Sequence, residues 1–166
     1  MSSIMASAYK RTRHFLEQEM GVALHGHLQS RGNVDVLPLY DTTVIVGVGG
    51  TVNVFIAFTF QRALLDELTR RFTADIVVPA ARHEQYRRAS AEEIVNIIVG
   101  HCTGDLPQAG GALSLSAPAV IEQERTVWRP SDAVFTCMSL RTAFGCIDIS
   151  FVGPCELFDQ QLNYLN

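Results

Sequence analysis

The chain has no basic excess. Its 13 Lys and Arg are outnumbered by 17 Asp and Glu, for a net charge of −4, so it lacks the cationic surplus that nucleic-acid phosphates demand. It also lacks any apolar run approaching the ~20 residues of a membrane-spanning helix. The longest such stretch, 44–60, is interrupted by Gly47, Gly49, Gly50 and Asn53. Residues 1–13 carry no apolar core of the kind a secretory signal needs, and a cytoplasmic protein is expected. Charge of either sign is sparse, at 18% of residues against 48% apolar, which excludes a disordered chain. A single domain spanning 1–166 is expected, long enough to bury a sizeable core.

Metal-ligand spacing is missing too. Cys102, Cys137, Cys146 and Cys155 include no C-x-x-C pair. Cys137 and Cys146 lie in apolar, strand-like runs where a thiol behaves as a small hydrophobe, so reduced cysteines and no metal are expected. His25 and His27 sit among glycines and polar residues with no carboxylate or thiol close in sequence, a poor start for a zinc site.

What is present is an alternation of helical and extended patterns. Residues 7–20 place Phe15, Leu16 and Met20 among charges and predict a helix stopped by Gly21. The stretch 34–40 alternates like a strand, and 42–48 with 52–60 flank a Gly49-Gly50-Thr51 hairpin signal. Residues 61–72 bring Leu64, Leu65, Leu68 and Phe72 to helical spacing. A polar stretch, 79–89, reads as a loop before a helix around 93–103. Strands are expected at 113–121, 133–141 and 144–152, with Pro118 marking the first as an edge. A short helix is expected at 156–165. The order of elements resembles one unit used twice: F-x-x-x-x-x-L-L-D from Phe58 to Asp66 is echoed from Phe151 to Asp159 as F-x-x-x-x-x-L-F-D, and Gly21 can be set against Gly100. The implied fold is α+β, a largely antiparallel sheet of about six strands with long helices on one face and two pseudo-repeated halves.

The most informative segment is Glu93-Ile94-Val95-Asn96-Ile97-Ile98-Val99-Gly100. At about 100° per residue, Glu93, Asn96, Gly100 and Thr103 fall within a stripe roughly 80° wide. Every other position from Ile94 to Val99 is apolar, so the helix is buried around most of its circumference and shows one narrow polar ridge. A glycine there costs ~1 kcal/mol relative to alanine, a sacrifice that makes sense if another backbone must come close. Structural readings compete. Ser90-Ala91-Glu92-Glu93 has the form of a capping box, Gly100 has the form of a C-cap, and Asn96 would serve as a satisfied buried amide. The capping box leaves Asn96 unexplained among four β-branched neighbours, which are mediocre helix formers.

The pattern E-x-x-N-x-x-x-G of Glu93, Asn96 and Gly100 resembles the signature of the CheC/CheX/FliY phosphatases of chemotaxis. The surroundings are similar as well: the S-x-P-x-V-I run of Ser116, Pro118, Val120 and Ile121, the double-glycine hairpin 42–60, and the closing strands from Ala133 to Phe151. The likeness covers about residues 12–160. CheC-type members carry the motif twice; here the matching positions of the first half are His14, Glu17 and Gly21, with no amide, so the chain looks like the CheX type. A second departure is Glu122-Gln123-Glu124, in a stretch that often holds a glycine.

The resemblance implies a substrate, the aspartyl phosphate of a CheY-like receiver domain that carries its own magnesium. It also implies roles. Asn96 would present its amide to an in-line water, Glu93 would pair with the receiver's active-site lysine, and Gly100, with Thr103 beside it, would meet the receiver's backbone. Phosphoryl transfer of this kind needs positioning rather than a protein nucleophile. The rivals are a module of the same fold that binds receivers without hydrolysis, a dimeric scaffold, and a thiol enzyme using His101 and Cys102. The last is disfavoured because helical neighbours point about 100° apart. A homodimer is expected on two grounds: the resemblance, and the need to cover an apolar edge strand, with 144–152 as the candidate.

Overall fold

The structure, a computed structural model, describes residues 4–26, 29–31, 34–49, 54–105, 114–123 and 125–154. Helix α1, Ile4–His14, buries Ile4, Ser7, Ala8 and Thr12 along one side. It runs on as a single π-helical turn, Phe15–Glu19, that buries Phe15 and Leu16. Gly21 then turns the chain away with φ +64°, the left-handed conformation that glycine tolerates. The helix thus starts earlier than 7–20 suggested, because Ile4 already packs in the core.

Nine strands follow the expected order with two additions. They are β1 (Gln29–Arg31), β2 (Val36–Leu39), β3 (Thr42–Gly49), β4 (Val54–Phe60), β5 (Ser114–Leu115), β6 (Ala119–Glu122), β7 (Arg125–Trp128), β8 (Ala133–Thr142) and β9 (Gly145–Pro154). Helix α2 is Arg62–Phe72 and helix α3 is His83–Asp105. The main sheet runs β1-β8-β9-β4-β3-β5, with β6 also on β3, while β2 and β7 form a separate two-stranded ribbon. Every pairing is antiparallel. The fold class read from the sequence is therefore the observed one. The strands β1 and β7 were missed because both are short: β1 is three polar residues, and β7 is four residues without a buried face. The stretch 113–121 splits around Ser116-Ala117-Pro118 into two short edge strands, as a proline without an N–H requires.

The two halves meet in the middle of the sheet, where β4 and β9 pair antiparallel with Ala57 opposite Ser150, Phe58 opposite Ile149 and Ile56 opposite Phe151. The repeated F-x-x-x-x-x-L pattern aligns Phe58 of β4 with Phe151 of β9, both buried in the core under the helices; residues 155–159 of the second copy lie outside the described residues, as does the expected helix 156–165. The outer strands cross over in the same way, β1 of the first half pairing with β8 while β6 of the second pairs with β3. Each half thus lends an edge strand to the other.

The strand β9 is central, flanked by β8 and β4. The expectation that 144–152 is an edge in need of a dimer partner is therefore wrong. Phe144 itself sits in the two-residue turn before β9, and the apolar character of the strand reflects burial on both sides. One sheet face carries Val44, Val46, Ile56, Phe58, Phe60, Ile147, Ile149 and Phe151 against the buried sides of α1, α2 and α3. The other presents small residues, among them Thr43, Ala57, Thr59, Cys137 and Ser150, and lets Leu37 of β2 pack against Phe135 and Cys137. There burial, followed by the nearby charge of Asp148, pushes the Tyr40 phenol up to about 12.

Candidate functional site on helix α3

The helix that carries Glu93 and Asn96 is longer than its sequence pattern suggested. The polar stretch 79–89 is not a loop: a 3-10 turn, Ala80–Arg82, leads into α3 at His83. Glu84, Gln85, Arg87, Arg88 and Ala89 are good helix formers. Glu84 with Arg87 and Arg88 with Glu92 form ion pairs at helical spacing. Those spacings were the available signal, hidden by the absence of apolar periodicity.

Two structural readings fall as a result. Ser90 lies inside the helix and is only 4% exposed, so it caps nothing, and Glu93 is not the third residue of a capping box. Gly100 is likewise internal, with the helix continuing to Asp105, so it is no C-cap.

Helix α3 is held by both ends and by its buried side. Ile94, Val95, Ile98 and Val99 are each at most 1% exposed; truncating any one to alanine would cost roughly 2–5 kcal/mol. At the N-terminal end, Arg87 donates from Nε to Asp66 Oδ1 of α2 at 2.5 Å. At the C-terminal end, Asp105 accepts from Ser7 Oγ at 2.7 Å and from Arg11 Nε at 2.7 Å, both on α1. The Arg11 and Ser7 hydrogen bonds hold the Asp105 carboxyl far below the usual carboxylate range.

On the outward side lie Glu93, Asn96 and Gly100, all exposed. Among the described residues neither the Glu93 carboxylate nor the Asn96 amide has a hydrogen-bond or ion-pair partner. This contrasts with their neighbours: Arg88 reaches Glu92 at 3.3 Å and Glu122 of β6 at 3.9 Å. A methyl group at Gly100 would meet nothing within 4 Å. Thr103 is half-buried and turns its hydroxyl back to Gly100 O at 2.8 Å. The structure thus brings Glu93, Asn96 and Gly100 onto one open stripe and leaves Thr103 at its margin. Tyr86, two helical turns before Glu93 and about 20° from it around the axis, continues the stripe and was missed because 79–89 read as loop.

His101 and Cys102 diverge: the imidazole is exposed, the thiol fully buried. Burial pushes the Cys102 thiol up to about 11, far from a thiolate nucleophile. Cys102, Cys137 and Cys146 are present as thiols; Cys155 lies outside the described residues. Among the described residues no three His, Cys, Asp or Glu side chains cluster as metal ligands. His25 is exposed, and His27 lies outside the described residues. No described helix is long and apolar enough to cross a membrane. The turn after β6 holds Gln123 at φ +95°, so the stretch where a glycine was missed keeps a backbone that favours one.

No protein-family model matches the chain, and no curated protein matches it significantly. Solved structures do. The chemotaxis protein CheX from Desulfovibrio desulfuricans superposes with a TM-score of 0.72 at 19% identity, over 89% of this chain and 97% of that one. CheX from Vibrio vulnificus gives 0.71 at 15% identity, over 89% and 97%. A chain of the CheX–CheY–BeF3–Mg2+ complex from Borrelia burgdorferi gives 0.61 at 18% identity, over 90% and 94%. The chain has the CheC/CheX-like fold.

Proposed function

We propose that the chain is a chemotaxis phosphatase that removes the phosphoryl group from the aspartate of a CheY-like receiver domain. The observation that carries this reading is the exposed pair Glu93 and Asn96, without a partner among the described residues, on the outward stripe of a helix whose other side is buried by Ile94, Val95, Ile98 and Val99, with the capping alternatives gone. An open ridge cannot enclose a small substrate, whose sites are concave. It suits a macromolecular partner that brings the reacting group and closes the site from the other side. The Borrelia CheX–CheY complex supports a partner of that kind.

In this reading Asn96 uses its amide, both donor and acceptor, to hold a water in line with the P–O bond of the acyl phosphate. Glu93 pairs with the receiver's lysine and sets the register of docking. Gly100 gives room for the receiver's backbone. The magnesium belongs to the receiver, where it neutralises charge on the phosphoryl oxygens. This chain supplies positioning, no covalent intermediate. The setting is the cytoplasm, and the active species is a homodimer. The dimer rests on the likeness to CheX-type proteins, and light scattering should give about twice the 18.3 kDa chain mass.

The test is phosphate release from purified phosphorylated receivers encoded by the same organism. Asn96→Ala should abolish release while leaving binding to the BeF3-activated receiver nearly intact. Release at the wild-type rate would refute the role given to Asn96. Receiver binding without any release by the wild-type chain would favour a non-catalytic module.

A further inference from the structure

The ridge alone is too small to dock a protein. From Tyr86 to Gly100 it is about 21 Å long at 1.5 Å per residue, and a stripe about 10 Å wide therefore covers roughly 200 Å2. Specific interfaces bury about 800 Å2 per partner, and weak transient ones about 600 Å2. Most of any receiver's footprint must lie beside the ridge.

The flanks of α3 offer mostly compensated charge. Arg62 pairs with Glu84, Arg87 with Asp66 and Glu84, and Arg88 with Glu92 and Glu122. Exposed apolar surface appears at the N-terminal end of the ridge. In the connection from α2 to α3, Ile76 is 54% exposed and Val77 is 95% exposed. Ile76, next to Val77 in the chain, lines an open cavity of about 520 Å3 between the helices, together with Thr73, Val78, Tyr86 and Arg87 among others. Tyr86 belongs to both features: it lines the cavity and shares a stripe with Glu93. Together with the cavity, these side chains offer the apolar contact area that the ridge itself lacks.

We infer that Ile76 and Val77, with the cavity that Ile76 lines, form a second contact for the same receiver partner, at the far end of the ridge from Gly100. This rests on the functional reading above. The partner is a receiver that presents an apolar or aromatic side chain about 15 Å from its phosphoryl aspartate, the distance from Asn96 to Tyr86 along the helix. Charge-compensated flanks contribute little net affinity, so these two residues, rather than the ion pairs, discriminate between receivers.

The experiment compares Val77→Ser and Ile76→Ser with wild type in two assays on a panel of phosphorylated or BeF3-activated receivers. In steady-state phosphate release, each substitution should raise KM about tenfold, equivalent to about 1.4 kcal/mol, and leave kcat unchanged, as loss of a contact made equally in ground and transition state requires. Neither side chain is in the core, so thermal midpoints should stay at the wild-type value. In hydrogen–deuterium exchange, the activated receiver should protect 73–87 as well as 89–104. Protection of 89–104 alone, or an unchanged KM in both variants, overturns this inference and leaves the phosphatase reading standing. No protection anywhere on α3 and no phosphate release from any receiver overturn both.

Discussion

Replacing Gly100 by alanine separates what the helix wants from what the ridge is for. Within a helix, Gly→Ala is favourable by about 0.8–1.0 kcal/mol because the alanine backbone loses less entropy. That gain is offset only if the new methyl collides with something. At Gly100 the added carbon has open space on every side within 4 Å, and the helix runs on past it to Asp105. The full gain should therefore appear as stability. For a chain of this size 1 kcal/mol moves the thermal midpoint by roughly 2–4 °C. Under the docking reading the same methyl stands where the receiver's backbone closes on the ridge, so KM for phosphate release should rise at least tenfold. Gly104→Ala is the control: it too has open space but lies one turn further along, near the helix end. Differential scanning calorimetry reads the first effect and phosphate release the second. A Gly100→Ala protein that is more stable and fully active would show that Gly100 contacts no partner. One that is destabilised would mean the glycine serves the fold itself.

Glu93→Gln should leave the thermal midpoint unchanged, because no capping box exists, and should weaken receiver binding by removing the charge; a drop of several degrees with binding intact would reverse that assignment. Gln123→Gly should stabilise the chain, since a non-glycine residue at φ +95° carries roughly 1–2 kcal/mol of strain, partly offset by glycine's extra unfolded-state entropy; an unchanged urea midpoint would mean the strain is absent in solution. Stability should fall as pH drops below about 4. Hydrogen bonds from Arg70 and Arg71 lower Glu67 to about 2, and those from Arg11 and Ser7 lower Asp105. Groups held below their unfolded values near 4 stabilise the fold above that range and lose the contribution on protonation. Glu67→Gln should flatten the urea midpoint between pH 5 and 3, and a wild-type midpoint independent of pH there would contradict the assignment.

Much of this molecule was legible before its structure, for reasons that differ by element. The helix α2 announced itself because one face is buried, so apolar residues recur at helical period; the strands β3 and β4 did so through their β-branched and aromatic runs, which are bounded by glycines and, in β4, buried on both faces. The ridge on α3 was legible because Glu93 and Asn96 stand out beside the apolar residues from Ile94 to Val99, although the helix proves buried on one side only rather than around most of its circumference. What escaped was decided by partners rather than by period. The first turns of α3 carry no apolar stripe, and the polar contacts that join them to α2 are the Arg87 to Asp66 bond and the Arg62–Glu84 ion pair, tertiary contacts that local pattern does not announce. The ribbon strand β7 is exposed along its length and owes its conformation to β2. The strand β9 looked like an unprotected edge because an apolar run is consistent with either a bare edge or a fully enclosed centre; pairing on both sides settles which.

The repeat read from the sequence raises the question of why one half alone would carry a site. That repeat sets the first helix against α3, and His14, Glu17 and Gly21 against Glu93, Asn96 and Gly100. Along α3 the helix is α-helical throughout, so those three positions share a stripe. In the first half the turn Phe15–Glu19 is π-helical, and an i→i+5 turn rotates everything beyond it off the α-helical stripe. Gly21 lies past the end of the helix with φ +64°. Its carbonyl accepts from Arg71 Nη1 at 2.9 Å, which makes it a helix stop and an anchor for α2. Glu17 is taken by Arg13 at 2.8 Å, whereas Glu93 has no ion-pair partner among the described residues. The first half therefore lacks the geometry of the site as well as its asparagine. Restoring only the residue types, His14→Glu with Glu17→Asn, in a chain already carrying Asn96→Ala should yield no phosphate release, although the motif would then read correctly in sequence. Should release return to a tenth of the wild-type rate or more, the shape of the helix matters less than its side chains, and the π-turn has no part in confining activity to α3.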